Sequence, residues 1–315
     1  MTKQDLSKKI LKNLKPSEIE DIQKELKNIN PYFASESRVL TDSQRAVMTS
    51  NAAELFKQVF DELKLDYKND ENLKDTPFRI ASMWVNELMV GRYVAPPRIE
   101  AFPANQYNVP DIKETLSITS KDGYDKYVEI QSELDSIQEQ IDNAVKQNGE
   151  FKNSLLSEAW NLLEELNDVY EFYIPKVIKK LTNKNMIVKK VDVNSLCSHH
   201  FIPFVSTDDA SSKCLIAYVP TLGSDKALLG ISKLQRIMDY FGRRPQLQET
   251  LNWQIRTYIG LILRSPHVMV SFHNIVHYCE KTRGVQSHCG STSTIEYGGV
   301  FASHEVRVQA LSLAE

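Results

Sequence analysis

The first 196 of 315 residues contain no cysteine, no histidine and only three of the eleven glycines. That stretch carries no soft metal ligand and no imidazole, which excludes it as a source of transition-metal or histidine acid–base chemistry. Long apolar runs are also missing, and none approaches the roughly 18 residues of a membrane span. The opening MTKQDLSKKILKNLKPSE has neither the apolar core nor the cleavage site of a secretory leader, so the expected compartment is the cytoplasm. There is no excess of charge of one sign either, since 38 Lys and Arg face 41 Asp and Glu. A net charge of -3 removes bulk electrostatics as a reason to expect nucleic acid. What remains, 42% hydrophobic and 25% charged residues, suits one large or two small soluble folded units.

Periodicity divides the chain. One helix is expected from the Pro16-Ser17-Glu18 start, and a second from Thr41 and Asp42 through Leu55, Val59 and Leu63. A third opens at Thr76-Pro77 and carries Ile80, Trp84 and Leu88. Residues 92 to 121 hold Pro96, Pro97, Pro103 and Pro110 and read as a connection. Ile130, Leu134, Ile137 and Ile141 then mark one stripe of a helix, Asn148-Gly149 breaks it, and Leu155, Leu156, Leu162, Leu163, Leu166 and Val169 mark a second. The result is a helical hairpin with an acidic first arm and a basic exit. It reads as a solvated face on an inserted arm, with a specific partner surface as the alternative, and removing 122 to 181 behind a short linker is expected to leave the metal site folded.

Beyond Asn185 the period falls to two. Val191 with Val193, residues 213 to 219, HVMVSFHNIVHYC and a last pair over roughly 291 to 312 are the strand candidates. Two helices separate them, one opening at Ser232 with Ile237 and Phe241 inward, the other carrying Leu251, Ile255 and Ile259. The expected organisation is an N-terminal helical region over 1–115, the hairpin over 116–185 and an α+β unit over 186–315, with a four-stranded antiparallel sheet and two helices on one face.

The chemistry is concentrated in that last unit. Cys197 and His200 are three apart, a spacing that converges on one ion only if a strand ends between them, and Cys279 supplies a third donor. Zinc held by three protein ligands keeps a fourth position for water, whose pKa falls to about 7. His277, two residues before Cys279, is expected on the same strand face and beside the metal, and His199 can turn toward a substrate over it. The plain alternative for Cys197 and His200 is a pair of ordinary buried residues. Cys214 and Cys289, the latter beside His288, are read as non-ligands. A second group is polar. Ser232, Lys233 and Arg236 at a helix start, with Arg283 later, suit phosphate oxygens. Gln248-Glu249 opens the next helix, where the Glu offers paired acceptors to a guanine edge.

CSHHFIPF, LLGISKLQRIMDYFGRRPQLQETLNWQI and HYCEKTRGV resemble the GTP cyclohydrolase I family, and DTPFR at 75–79 resembles its N-terminal helical region. The resemblance covers roughly residues 45 to 105 and 186 to 312. It implies the tunnelling fold (T-fold), hydrolysis of GTP at purine C8 with loss of formate, and rearrangement to 7,8-dihydroneopterin triphosphate. Carried over by motif, Cys197, His200 and Cys279 hold Zn2+, His199 protonates the N7 side and His277 assists proton transfer. Glu249 with Gln248 grips guanine, and Ser232, Lys233, Arg236 and Arg283 face the ribose and triphosphate. It also implies a homo-oligomer, usually a decamer, with active sites between subunits, and no nucleic-acid or membrane partner. Ser198 stands where that family commonly has Glu, Glu280-Lys281 where Met-Met is usual, and residues 115 to 185 have no counterpart in its compact members. The competing expectations are a T-fold relative acting on another purine or pterin, and a silent regulatory subunit.

Overall fold

The structure, a computed structural model, describes residues 2–103, 112–147, 149–177, 186–220, 227–287 and 290–314. Helices α1 (Lys3–Asn13), α2 (Pro16–Lys27), α3 (Asp42–Glu62) and α4 (Thr76–Met83) open the chain, and α4 runs on as a π-helical turn over Trp84–Leu88. Capping boxes start α1 at Thr2 with Asp5 and α3 at Thr41 with Gln44, so the first orphan N–H groups are met locally. The buried Asn86 amide reaches the hydroxyls of Ser7, Thr49 and Ser82 and ties α1, α3 and α4 together. Helix α3 turns Ala46, Val47, Ala53 and Phe60 inward and leaves Leu55, Val59 and Leu63 exposed.

The stretch expected as a connection contains β2 (Ala101–Phe102) and a helix, α5 (Ile112–Thr119). None of the four prolines falls within that helix, and Ile112 and Leu116, one turn apart, are fully buried beneath it. The hairpin follows as α6 (Lys121–Gln147) and α7 (Asn153–Tyr173), turning at Gly149 with φ +67°. Its residues Glu150–Phe151 (β3) pair with Ser37–Arg38 (β1).

The α+β part contains β4 (Ile187–Val191), β5 (Asn194–Cys197), β6 (Pro203–Val205), β7 (Cys214–Tyr218) and β8 (Leu228–Leu229). Then come α8 (Ile231–Gly242), β9 (Pro245–Gln246), α9 (Gln248–Leu263), β10 (Val268–His277), α10 (Tyr278–Thr282), β11 (Thr292–Tyr297) and α11 (His304–Ser312). Four antiparallel strands, in the order β4-β7-β10-β11, form the expected sheet. The sheet is larger than expected, because the end of β10 also pairs with β6, β6 with β5, and β5 in parallel with β9. The last expected strand pair is half right. After β11 the chain breaks at Gly298-Gly299 and re-forms as α11, where Val306 and Ala310 are buried at helical spacing.

The hairpin is not a solvated arm. Its stripe joins the sheet and α9 in one apolar cluster that includes Leu134, Leu163, Leu166, Tyr170, Ile259 and Val270. A Cβ on Gly260 of α9 would lie 2.7 Å from a Leu163 methyl, so the two helices cross closely and a larger residue there would push the Leu163 side chain aside. Buried arginines of α9 and its C-cap anchor the polar edge of the same contact, Arg256 to Glu164 at 2.8 Å and Arg264 to Asp135 at 2.7 Å.

Candidate metal centre and its surroundings

Strand β5 ends at Cys197, as convergence of the Cys-x-x-His pair requires. The Phe201 N–H donates to the Cys197 carbonyl at 2.9 Å, and the Cys197 N–H to the Ile202 carbonyl at the same distance. Phe201 itself is left-handed, with φ 53°. This tight reversal swings the imidazole back, and Cys197 Sγ lies 3.6 Å from His200 Nδ1. The third donor arrives by strand pairing. Residues Val276 and His277 of β10 lie against Val205 and Phe204 of β6, which brings the following turn of α10, with Cys279, alongside the Cys197 reversal. The donor atoms of Cys197, His200 and Cys279 all lie within 4.8 Å of one another.

That set fits zinc. Zn–S near 2.3 Å and Zn–N near 2.0 Å put tetrahedral donors about 3.5 Å apart, the spacing that Cys197 and His200 already have. Burial first, and then the adjacent Cys197, push the Cys279 thiol up. Cys214 stays out of the group on β7, fully buried with its thiol pushed well up by burial. Cys289 and His288 lie outside the described residues.

The histidines divide. His199 is exposed, its ring edge-on to His200 at 6.0 Å. His277 does not share a strand face with Cys279, because β10 ends at His277 and Cys279 belongs to the helical turn beyond. A bulge in β10 between Phe272 and Ile275, with Asn274 left-handed at φ 49°, resets the strand before it delivers His277. The His277 ring stacks on Phe204 at 4.7 Å, and its Nε2 meets Gln248 Oε1 at 2.8 Å. Burial lowers the His277 pKa, and the carboxylates of Glu249 and Glu280 pull it back. His200 is also held low, by lost solvation and by the cation of Arg283, whose Nη1 reaches His200 Nε2.

The polar residues fall into two places. Glu249, exposed in the first turn of α9, and Arg283 lie on the metal side. Ser232 and Arg236 are exposed at the opposite end of α8 from its junction with β5, and Lys233 Nζ donates to the Arg98 carbonyl at 3.5 Å. No hydrogen bond or ion pair among the described residues links these three to Cys197, His200 or Cys279. Gln248 is buried, and its amide is held by His277 and Thr294. The threonines of β11 were missed in the sequence, where the only signal was Thr292 and Thr294 two apart, on one face of a strand.

Fold and site together define a mixed α+β protein with a group of two thiols and one imidazole, flanked by further histidines. The chain belongs to the GTP cyclohydrolase I family, whose sequence model matches residues 154–315 and so includes α7 of the hairpin. It is 37% identical over 123 residues to GTP cyclohydrolase 1 of Wigglesworthia glossinidia brevipalpis, covering 39% of this chain and 52% of the relative. The protein of the same name from Blochmanniella pennsylvanica is 37% identical over 122 residues, 39% and 50% of the two chains. That from Salmonella choleraesuis is 34% identical over 127 residues, 40% and 52%. The chain thus spans about half the length of the curated relatives it matches. Among the described residues no helix is long and apolar enough to cross a membrane.

Proposed function

We propose that this chain is a zinc-dependent GTP cyclohydrolase of the T-fold type, opening the imidazole ring of GTP at C8, releasing formate and yielding 7,8-dihydroneopterin triphosphate. The observation that carries the reading is the meeting of Cys197, His200 and Cys279, brought from two distant segments by a tight reversal and a strand pairing. These three would hold Zn2+, which when bound supplies Lewis-acid activation of water at neutral pH.

The chain's own groups supply the rest. His199, exposed beside the ligand His200, donates a proton to the N7 side of the purine and makes C8 electron-poor. His277, held by Phe204 and Gln248, takes up and returns protons on the metal side. Glu249 accepts the paired N–H donors of the guanine edge. Arg283 contributes a cation at the metal side, whereas Lys233 and Arg236 with Ser232 stand at the start of α8, where open backbone donors favour an anion. Membership of the family supports a site that a neighbouring copy completes. The proposed assembly is therefore a ring-forming homo-oligomer, with a decamer as the expected size.

The test is zinc stoichiometry measured together with formate release and oxidised-pterin fluorescence from GTP. Cys279→Ser is expected to lose metal and turnover together. His199→Ala is expected to keep the metal and lose roughly 100-fold or more in kcat. Zinc-loaded wild-type protein that leaves GTP unchanged would favour a silent subunit, and loss of metal in His199→Ala would overturn the ligand assignment.

A further inference from the structure

The amide of a glutamine can ordinarily be placed either way round, since oxygen and nitrogen look alike. Gln248 is an exception, because one end of its amide faces both the Thr294 hydroxyl, at 2.9 Å, and the backbone carbonyl of Thr292, at 3.4 Å. A carbonyl oxygen can only accept, so the end turned toward β11 is the NH2 group. The other end, 2.8 Å from His277 Nε2, is then the amide oxygen, which can only accept as well. It follows that His277 carries its proton on Nε2 and, when neutral, has its lone pair on Nδ1. The amide of Asn252 lies against the other side of the Thr294 hydroxyl, at 3.3 Å. Gln248 and Asn252 are both buried, and turning the Gln248 amide over would set its oxygen against the Thr292 carbonyl, two acceptors face to face away from water. The Phe204 ring, stacked at 9° to the imidazole, removes the remaining rotation.

From this network we infer that Gln248, oriented by the Thr292 carbonyl and held in place by the Thr294 hydroxyl, is a positioning residue that fixes the tautomer of His277, presenting Nδ1 as the proton-accepting atom. The inference rests on the proposed function for its catalytic consequence and departs from the motif-based expectation at one residue. Gln248 acts through His277, and the guanine grip is left to Glu249. Strand β11 gains a part that no motif in the sequence points to, because only the β10–β11 register brings Thr292 and Thr294 under the start of α9.

The tautomer can be read without substrate. In zinc-loaded protein labelled with 15N-histidine, at about pH 8 where an ordinary imidazole is neutral, the ring signals absent from His277→Asn are expected to report Nε2–H. Gln248→Leu, which keeps the bulk and removes the amide, is expected to give a mixture of tautomers and to lower kcat by up to about a hundredfold while zinc content and the KM for GTP stay as in wild type. Thr294→Val, which leaves the Thr292 carbonyl in place, is expected to keep Nε2–H. A wild-type His277 carrying its proton on Nδ1 would overturn the inference. So would a Gln248→Leu protein with unchanged tautomer and kcat, or a Gln248→Leu effect confined to KM. If the wild-type protein leaves GTP unchanged yet shows Nε2–H that is lost in Gln248→Leu, the tautomer assignment stands and the GTP reading alone falls.

Discussion

Strand β10 has a histidine at each end, and the two have opposite characters. His267, just before its start, is fully buried, with Nδ1 accepting the Val300 N–H at 3.3 Å. Its Nε2 has no partner among the described residues, and the Tyr170 ring of the hairpin lies 5.4 Å away. Burial alone takes its pKa down to about 3. His277, at the far end, is half-buried and also lowered by burial, but it has a buried amide on Nε2 and two carboxylates near enough to oppose the shift. Burial with no carboxylate beside it makes an imidazole inert at neutral pH, whereas His277 has an amide acceptor and two carboxylates that favour its protonated form. The hairpin accounts for the asymmetry, since α7 seals the His267 end and the other end opens on the group of Cys197, His200 and Cys279.

The harshest way to break this comparison is to remove what seals the first end. Deleting 121–173 behind a short linker takes Leu134, Leu163, Leu166 and Tyr170 out of the single apolar cluster. It also leaves Arg256 and Arg264, which are 1% and 4% exposed at their side chains, without their carboxylate partners. The expected outcome is a protein that aggregates and binds no stoichiometric zinc, read by gel filtration and metal analysis. A soluble, zinc-binding product would show that the two ends are independent after all.

A single methyl cluster tests the same coupling more gently. Leu163 is fully buried against Gly260, and Leu163→Ala is expected to cost about 3 kcal/mol of stability, seen as a lower urea midpoint. Zinc content at saturating metal should stay at the wild-type value, because nothing at the Cys197 reversal touches that crossing. A parallel loss of zinc would mean that the sealed end controls the open one.

How much of this was legible in the sequence depends on how far apart the interacting residues are. The Cys197–His200 reversal is local chemistry, readable from a spacing of three and the strand end it demands, and the hairpin stripe is readable from periodicity. The α5 helix was hidden by prolines on its approach that never enter it, and α11 by an alternation in 292–297 that does not continue past Gly298-Gly299. The sealing of the hairpin was not legible, because charged Arg256, Arg264, Asp135 and Glu164 look like solvated surface until α9 is laid against them. The shelf beneath Gln248 depends on a strand register and a bulge, neither of which leaves a mark on Thr292 or Thr294 themselves.

The smallest expected effect is a pH dependence belonging to the sealed end alone. An unfolded histidine titrates near 6.5, whereas folded His267 resists protonation until about pH 3. Between these values the unfolded chain binds the extra proton, so stability rises with pH. His267 therefore imposes no penalty above about pH 7.5, costs about 2 kcal/mol at pH 5, and costs more as pH falls toward its folded pKa. His267→Gln replaces the imidazole with a neutral acceptor for the Val300 N–H. Urea midpoints measured for both proteins at pH 5 and pH 8 should show a steeper acid loss in wild type, by about that amount. His277 keeps its partners in the variant, so the difference isolates the buried imidazole. Equal slopes would mean that His267 takes up protons as readily as an exposed histidine, and that the hairpin does not seal its end of the strand.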